Sequence, residues 1–124
     1  GRLLEEWSLS NKIELVTLCK MDEVEEGTPL AANADGFPPL AVYLHEGTYH
    51  VTDNTCTHGM AMLTDGYQDG HEIECPFHGG AFDITNGEAI SFPCQIPLKT
   101  YTVTLENGNV CVPLSEAVTG ADAD

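Results

Sequence analysis

The chain has 124 residues, enough for one compact domain with a single core and too few for two. Its 42% hydrophobic and 19% charged residues are the balance of a folded protein and exclude disordered and collagen-like readings. A formal charge of −16 would repel nucleic-acid phosphates and anionic lipid, so neither is an expected partner.

Strand patterns dominate the chain. Ile13–Cys19 is the first candidate, followed by a turn or so of helix around Met21–Glu26. Leu40–His45 reads as a strand, Glu46-Gly47 as a turn and Tyr49–Thr52 as the return strand. Asn86-Gly87 makes a similar turn between Ala81–Ile84 and Ala89–Phe92. Tyr101–Leu105 alternates apolar with polar residues before Asn107-Gly108 and resumes as Val110–Val112, the pattern of a hairpin. No run has a 3.6-residue period long enough for a substantial helix, so the fold expected is all-β: a small antiparallel sandwich or barrel. Between Asn54 and Cys94 the composition shifts toward Gly, His, Cys and Asp, with turn signals at Asp65-Gly66 and Asp69-Gly70. This reads as an inserted, loop-rich subdomain of about residues 54–94 within a single domain, 1–124. The ends, Gly1–Ser10 and Ser115–Asp124, have little pattern and are expected to be loosely held.

The longest apolar runs, such as Leu40–Leu44, fall far short of the roughly 20 residues of a membrane helix, and the opening residues show no leader pattern. Arg2, Lys12, Lys20 and Lys99 are the only basic residues, while 13 acids lie between Met21 and Leu98. Such a surface either keeps the chain soluble or docks a basic partner. Five cysteines, Cys19, Cys56, Cys75, Cys94 and Cys111, are an odd set that suits a reducing compartment, so a cytoplasmic location is expected. Cys19 and Cys111 stand in strand-like runs and read as small hydrophobes.

Cys56 and Cys75 have a different context. Each opens a short motif, Cys56-Thr57-His58-Gly59 and Cys75-Pro76-Phe77-His78-Gly79-Gly80, with 16 residues between His58 and Cys75. Each loop can offer one sulfur and one nitrogen, and a soft S2N2 set suits zinc or an iron–sulfur centre. Structural zinc sites generally use hooks of like ligands, whereas both hooks here are mixed; mixed hooks suit a binuclear centre in which one metal takes the sulfurs and the other the nitrogens. A colourless zinc module stays the alternative. His45, His50 and His71 have no cysteine at ligand spacing and read as surface or strand-packing residues. Phe77, Phe82 and Phe92 are candidates for an apolar wall around the centre, and Pro93 stands at the end of a strand-like run.

These residues resemble the Rieske proteins, whose motif is Cys-x-His followed by Cys-x-x-His. The resemblance extends to Thr55-Cys56-Thr57-His58-Gly59, Asp65-Gly66-Tyr67, Ile73-Glu74-Cys75-Pro76 and Pro97-Leu98-Lys99-Thr100-Tyr101, which look like the Rieske-type ferredoxins of bacterial aromatic-ring dioxygenase systems. It covers about residues 12–113. It implies one 2Fe-2S cluster, with Cys56 and Cys75 on one iron and His58 and His78 on the other. Respiratory members join the two loops by a disulfide and add Ser and Tyr donors, but the corresponding positions here are Ala61, Phe77, Gly80 and Phe82. Two ferric ions, two sulfides and two thiolates sum to neutrality, and reduction leaves one negative charge. Without those donors the expected potential lies near the lower end of the span of about −150 to +300 mV.

Nothing else in the chain resembles a catalytic apparatus or a Gly-rich phosphate loop. The resemblance implies an electron carrier and not an enzyme: a monomer relaying electrons from a NAD(P)H-dependent flavoprotein reductase to a terminal ring-hydroxylating oxygenase, docking through a His58/His78 tip. The alternative is a Rieske-like small subunit of a larger reductase, such as a nitrite reductase.

Overall fold

A computed structural model describes residues 14–57, 61–76, 79–92, 94 and 96–117. Among them every strand pairing is antiparallel, and the only helical elements are three single 3₁₀ turns. The strands are β1 (Leu15–Lys20), β2 (Leu30–Ala32), β3 (Leu40–His45), β4 (Thr48–Asp53), β5 (Tyr67–Asp69), β6 (Glu72–Glu74), β7 (Ala81–Asp83), β8 (Ala89–Ser91), β9 (Thr100–Tyr101), β10 (Thr104–Glu106) and β11 (Asn109–Pro113). They form three sheets, ordered β1-β11-β10, β2-β3-β4-β9 and β5-β6-β7-β8.

The β3–β4 hairpin follows its sequence signals. Glu46 and Gly47 both have positive φ, 51° and 78°, and His45 pairs with Thr48 across them. That is a two-residue turn whose hand matches strand twist. Asn107 and Gly108, at φ 53° and 79°, do the same between β10 and β11.

Three expectations need correction. The helical candidate is only a 3₁₀ turn, Met21–Glu23; beyond it the chain returns to bridges, Glu25 with Thr28 and Glu26 with Leu44. Tyr101–Leu105 is not one strand: Thr100–Tyr101 pairs with β4, and Thr104–Glu106 pairs with β11 in another sheet. At the crossing, the Thr102 N–H and hydroxyl both donate to the Glu116 carboxylate, at 2.9 and 2.7 Å. Those bonds also tie down part of the C-terminal segment expected to be loose, since Leu114–Glu116 forms a 3₁₀ turn.

β3 sits between two cores. Leu40 and Val42 join Val24, Val51, Tyr101, Val110 and Val112 in one cluster, while Ala41 and Tyr43 join Leu63, Ile73, Phe82, Ile84 and both Cys56 and Cys75 in the other. Alternation along a strand sends successive side chains to opposite faces, so a strand buried on both sides is apolar throughout. The continuous run Leu40–Leu44 is the result. The Tyr43 hydroxyl is buried but bonded to Thr52 Oγ1 at 2.9 Å, which avoids an unsatisfied polar group.

Residues 54–94 carry the β5–β8 sheet with loops between its three-residue strands, and this sheet packs on the Tyr43 face of β3. Around its junction with β3 and β4, burial pushes the His50 imidazole below its ordinary pKa. His45 reinforces that shift and Asp83 opposes it. A base depressed in the folded state contributes stability above its unfolded pKa of about 6.5 and loses it as pH falls through the lower folded value. The melting temperature should therefore drop between pH 7 and 5, and less steeply in His50→Gln; parallel slopes would refute this origin.

Candidate metal centre

Asn54 anchors the first cysteine loop. Although buried, its side chain donates to Thr64 Oγ1 (3.0 Å) and accepts from Thr64 N (2.9 Å). Its backbone N–H donates to Pro39 O (2.8 Å), and its carbonyl accepts from Leu63 N (2.7 Å). With every polar group paired, the residue fixes where the loop leaves β4. A Thr55–Met62 bridge then brackets it, and the Cys56 N–H donates to Ala61 O at 2.9 Å.

The second loop closes in the same way: the Cys75 N–H donates to Gly80 O at 2.7 Å. Cys56–Ala61 and Cys75–Gly80 are thus six-residue loops of one pattern, each pinned by its cysteine's amide. Both cysteines are 2% exposed and lie in one core cluster. His58 and His78, the other two candidate ligands, lie outside the described residues, as do Phe77 and Pro93. Paired loops presenting two buried thiols, each with an imidazole two or three residues ahead in sequence, fit a soft binuclear centre, and the donor set has no hard oxygen ligand.

A third segment closes on these loops. The Thr57 hydroxyl donates to Ile96 O at 2.8 Å, the Cys94 N–H to Ser91 O at 3.0 Å and the Leu98 N–H to Gly87 O at 2.7 Å. Cys94 is buried with its Sγ 3.9 Å from Cys56 Sγ. Burial, then Cys56 and Cys75, pushes its thiol up to about 12. Sequence reasoning gave Cys94 no role, because the contact is made across 38 residues of chain.

Of the expected apolar wall, Phe82 is fully buried behind the loops, but Phe92 is 79% exposed, as is Ile96 at 62%. Phe92 is therefore surface and not lining. His45 lies near the Glu26 and Glu46 carboxylates (3.4 and 3.6 Å), and His71 lies 3.9 Å from Glu72 and Asp83. Among the described residues no three His, Cys, Asp or Glu side chains are arranged to hold a metal ion.

Residues 14–102 match the family model for the Rieske [2Fe-2S] domain. The ferredoxin component of the naphthalene 1,2-dioxygenase system of Pseudomonas putida is 41% identical over 103 residues, 83% of this chain and 98% of that one. The solved ferredoxin of Sphingomonas yanoikuyae B1 superposes with a TM-score of 0.79 at 58% identity, covering 81% of this chain and 98% of that one. A ferredoxin solved in complex with the oxygenase of carbazole 1,9a-dioxygenase gives 0.75 at 42% identity, over 83% and 94%.

Proposed function

This chain belongs to the Rieske [2Fe-2S] domain family, and on that premise we propose that it carries single electrons from a NAD(P)H-dependent flavoprotein reductase to a terminal aromatic ring-hydroxylating oxygenase. The observation that carries the proposal is the pair of equivalent cysteine loops closed by Cys56 N→Ala61 O and Cys75 N→Gly80 O. Cys56 and Cys75 hold one iron of a 2Fe-2S cluster, and His58 and His78 hold the other. When bound, the cluster supplies a one-electron couple with no open position for substrate, so the chain is a carrier and the oxygenase does the chemistry.

The chain's own residues supply shelter and a docking face. Leu63, Ile73 and Phe82 exclude water behind the cysteines. Exposed Phe92 and Ile96 sit on the segment bonded to the first cysteine loop through Thr57. Exposed apolar groups on a segment bonded to a cysteine loop, in a chain of formal charge −16, suit brief docking on a basic partner. The existence of a solved complex between a related ferredoxin and its oxygenase supports that reading. No helix among the described residues is long and apolar enough to cross a membrane, and the odd number of cysteines, five, suits a cytoplasmic carrier.

The purified protein should be a coloured monomer with two irons and two inorganic sulfides per chain, and its visible bands should bleach with dithionite. Electron transfer from the cognate reductase should slow as ionic strength rises from about 20 to 500 mM, since long-range steering is screened. Colourless protein would overturn the cluster, a flat salt profile would overturn the steering, and obligate co-purification in a larger reductase would overturn the shuttle.

A further inference from the structure

We propose that the Cys94 thiol donates an S–H···S hydrogen bond to the iron-bound sulfur of Cys56 and so raises the reduction potential of the centre. This rests on the cluster reading above. In the chain as described, Cys94 Sγ and Cys56 Sγ are 3.9 Å apart and either could donate. Once Cys56 binds iron its sulfur has no proton to give, which leaves Cys94 as donor.

Three features hold the thiol there. The turn at Ser91–Cys94 fixes its backbone, and the Thr57–Ile96 bond ties its segment to the loop of Cys56 itself. Gly80 provides the space: a β-carbon there would stand 2.4 Å from Cys94 Sγ and 3.1 Å from its amide nitrogen. Any side chain on that flank of the second loop would displace the thiol. Gly80 and Phe82 carry no hydroxyl, so neither side chain offers a competing O–H donor.

Reduction places negative charge partly on the cluster sulfurs, so a donor to one of them is bonded more strongly in the reduced state, and the couple moves up. The thiol binds no metal; it acts through the sulfur of Cys56 as a positioning and tuning residue.

Redox titration followed by visible circular dichroism tests this on the loaded wild type, Cys94→Ala, Cys94→Val and Cys94→Ser. Alanine and valine, which have no donor, should lower the reduction equilibrium constant severalfold, on a scale where tenfold is 59 mV. Serine, which keeps a proton to donate, should recover most of the loss. Valine overfills the thiol's space by about a methyl group where alanine underfills it, so the pair keeps the test alive should the alanine cavity prevent assembly. If all variants titrate with the wild type, the thiol does not tune the centre, and if serine falls as far as valine, packing and not the proton is responsible; either result overturns the proposal. A wild type without iron and sulfide would instead overturn the cluster reading, and this proposal with it.

Discussion

Gly66→Ala is expected to leave a chain that cannot retain its iron. Gly66 has an ordinary backbone conformation, so its requirement is for space and not for left-handed freedom. A β-carbon there would stand 1.9 Å from the Glu74 carbonyl oxygen and 3.1 Å from both the Glu74 carbonyl carbon and Pro76 Cδ. The obstructing oxygen is backbone, and Glu74 and Pro76 flank Cys75. Relief requires moving the strand that delivers the second thiol, and overpacking of this kind costs at least about 1–3 kcal/mol before the lost metal is counted. Gly27→Ala is the contrasting case. Gly27 sits at φ +82° with nothing within 4 Å of a β-carbon, so alanine should cost only the left-handed penalty of roughly 1–2 kcal/mol and keep the full iron content. Iron per chain and melting temperature separate the two; a Gly66→Ala protein with wild-type iron would show that the second loop tolerates displacement.

Much of this was legible in the sequence where local chemistry and tertiary structure agree. Asn107-Gly108 announces its turn, because two consecutive residues must adopt positive φ and few pairs do so cheaply, whereas at Glu46-Gly47 the glycine alone carries the signal and Glu46 takes its positive φ at a cost. Leu40–His45 matches β3 end to end, since burial on both faces demands an unbroken apolar run. The cysteine–histidine hooks stand out because metal ligation requires residue types that packing does not.

The features that escaped share a different cause. Tyr101–Leu105 alternates without interruption although its two halves belong to different sheets; alternation records which side of a strand is buried and not which neighbour it pairs with. β5 and β6 are three residues each, too short for a period to register. Asn54 looks like any loop asparagine, yet it is the hydrogen-bonded base of the first cysteine loop. Cys94 meets Cys56 across 38 residues, and no local pattern encodes a contact that three converging loops create. The site's outline was local and its tuning was not.

That division bears on the second large effect, His78→Cys. If the variant assembles its cluster, its midpoint potential should fall by roughly 100 mV or more, judged against clusters with four thiolate ligands near −400 mV and those with two imidazoles at about −150 mV upward. With neutral imidazoles the oxidised centre is neutral and reduction adds its first net charge. A third thiolate makes reduction a step from one negative charge to two, opposed by repulsion in a site of low dielectric constant. The surroundings give little relief: 13 acids and no Lys or Arg lie between Met21 and Leu98, and the Cys94 proton can bond to only one sulfur at a time. His71→Cys supplies the control, because that residue lies near Glu72 and Asp83 outside the two cysteine loops and should leave the potential unchanged. A loaded His78→Cys protein titrating at or above the wild-type potential would mean that His78 is not a ligand, or that charge on the centre does not set its potential; iron content, unchanged in the first case if another residue ligates, and the number of thiols open to alkylation would tell these apart.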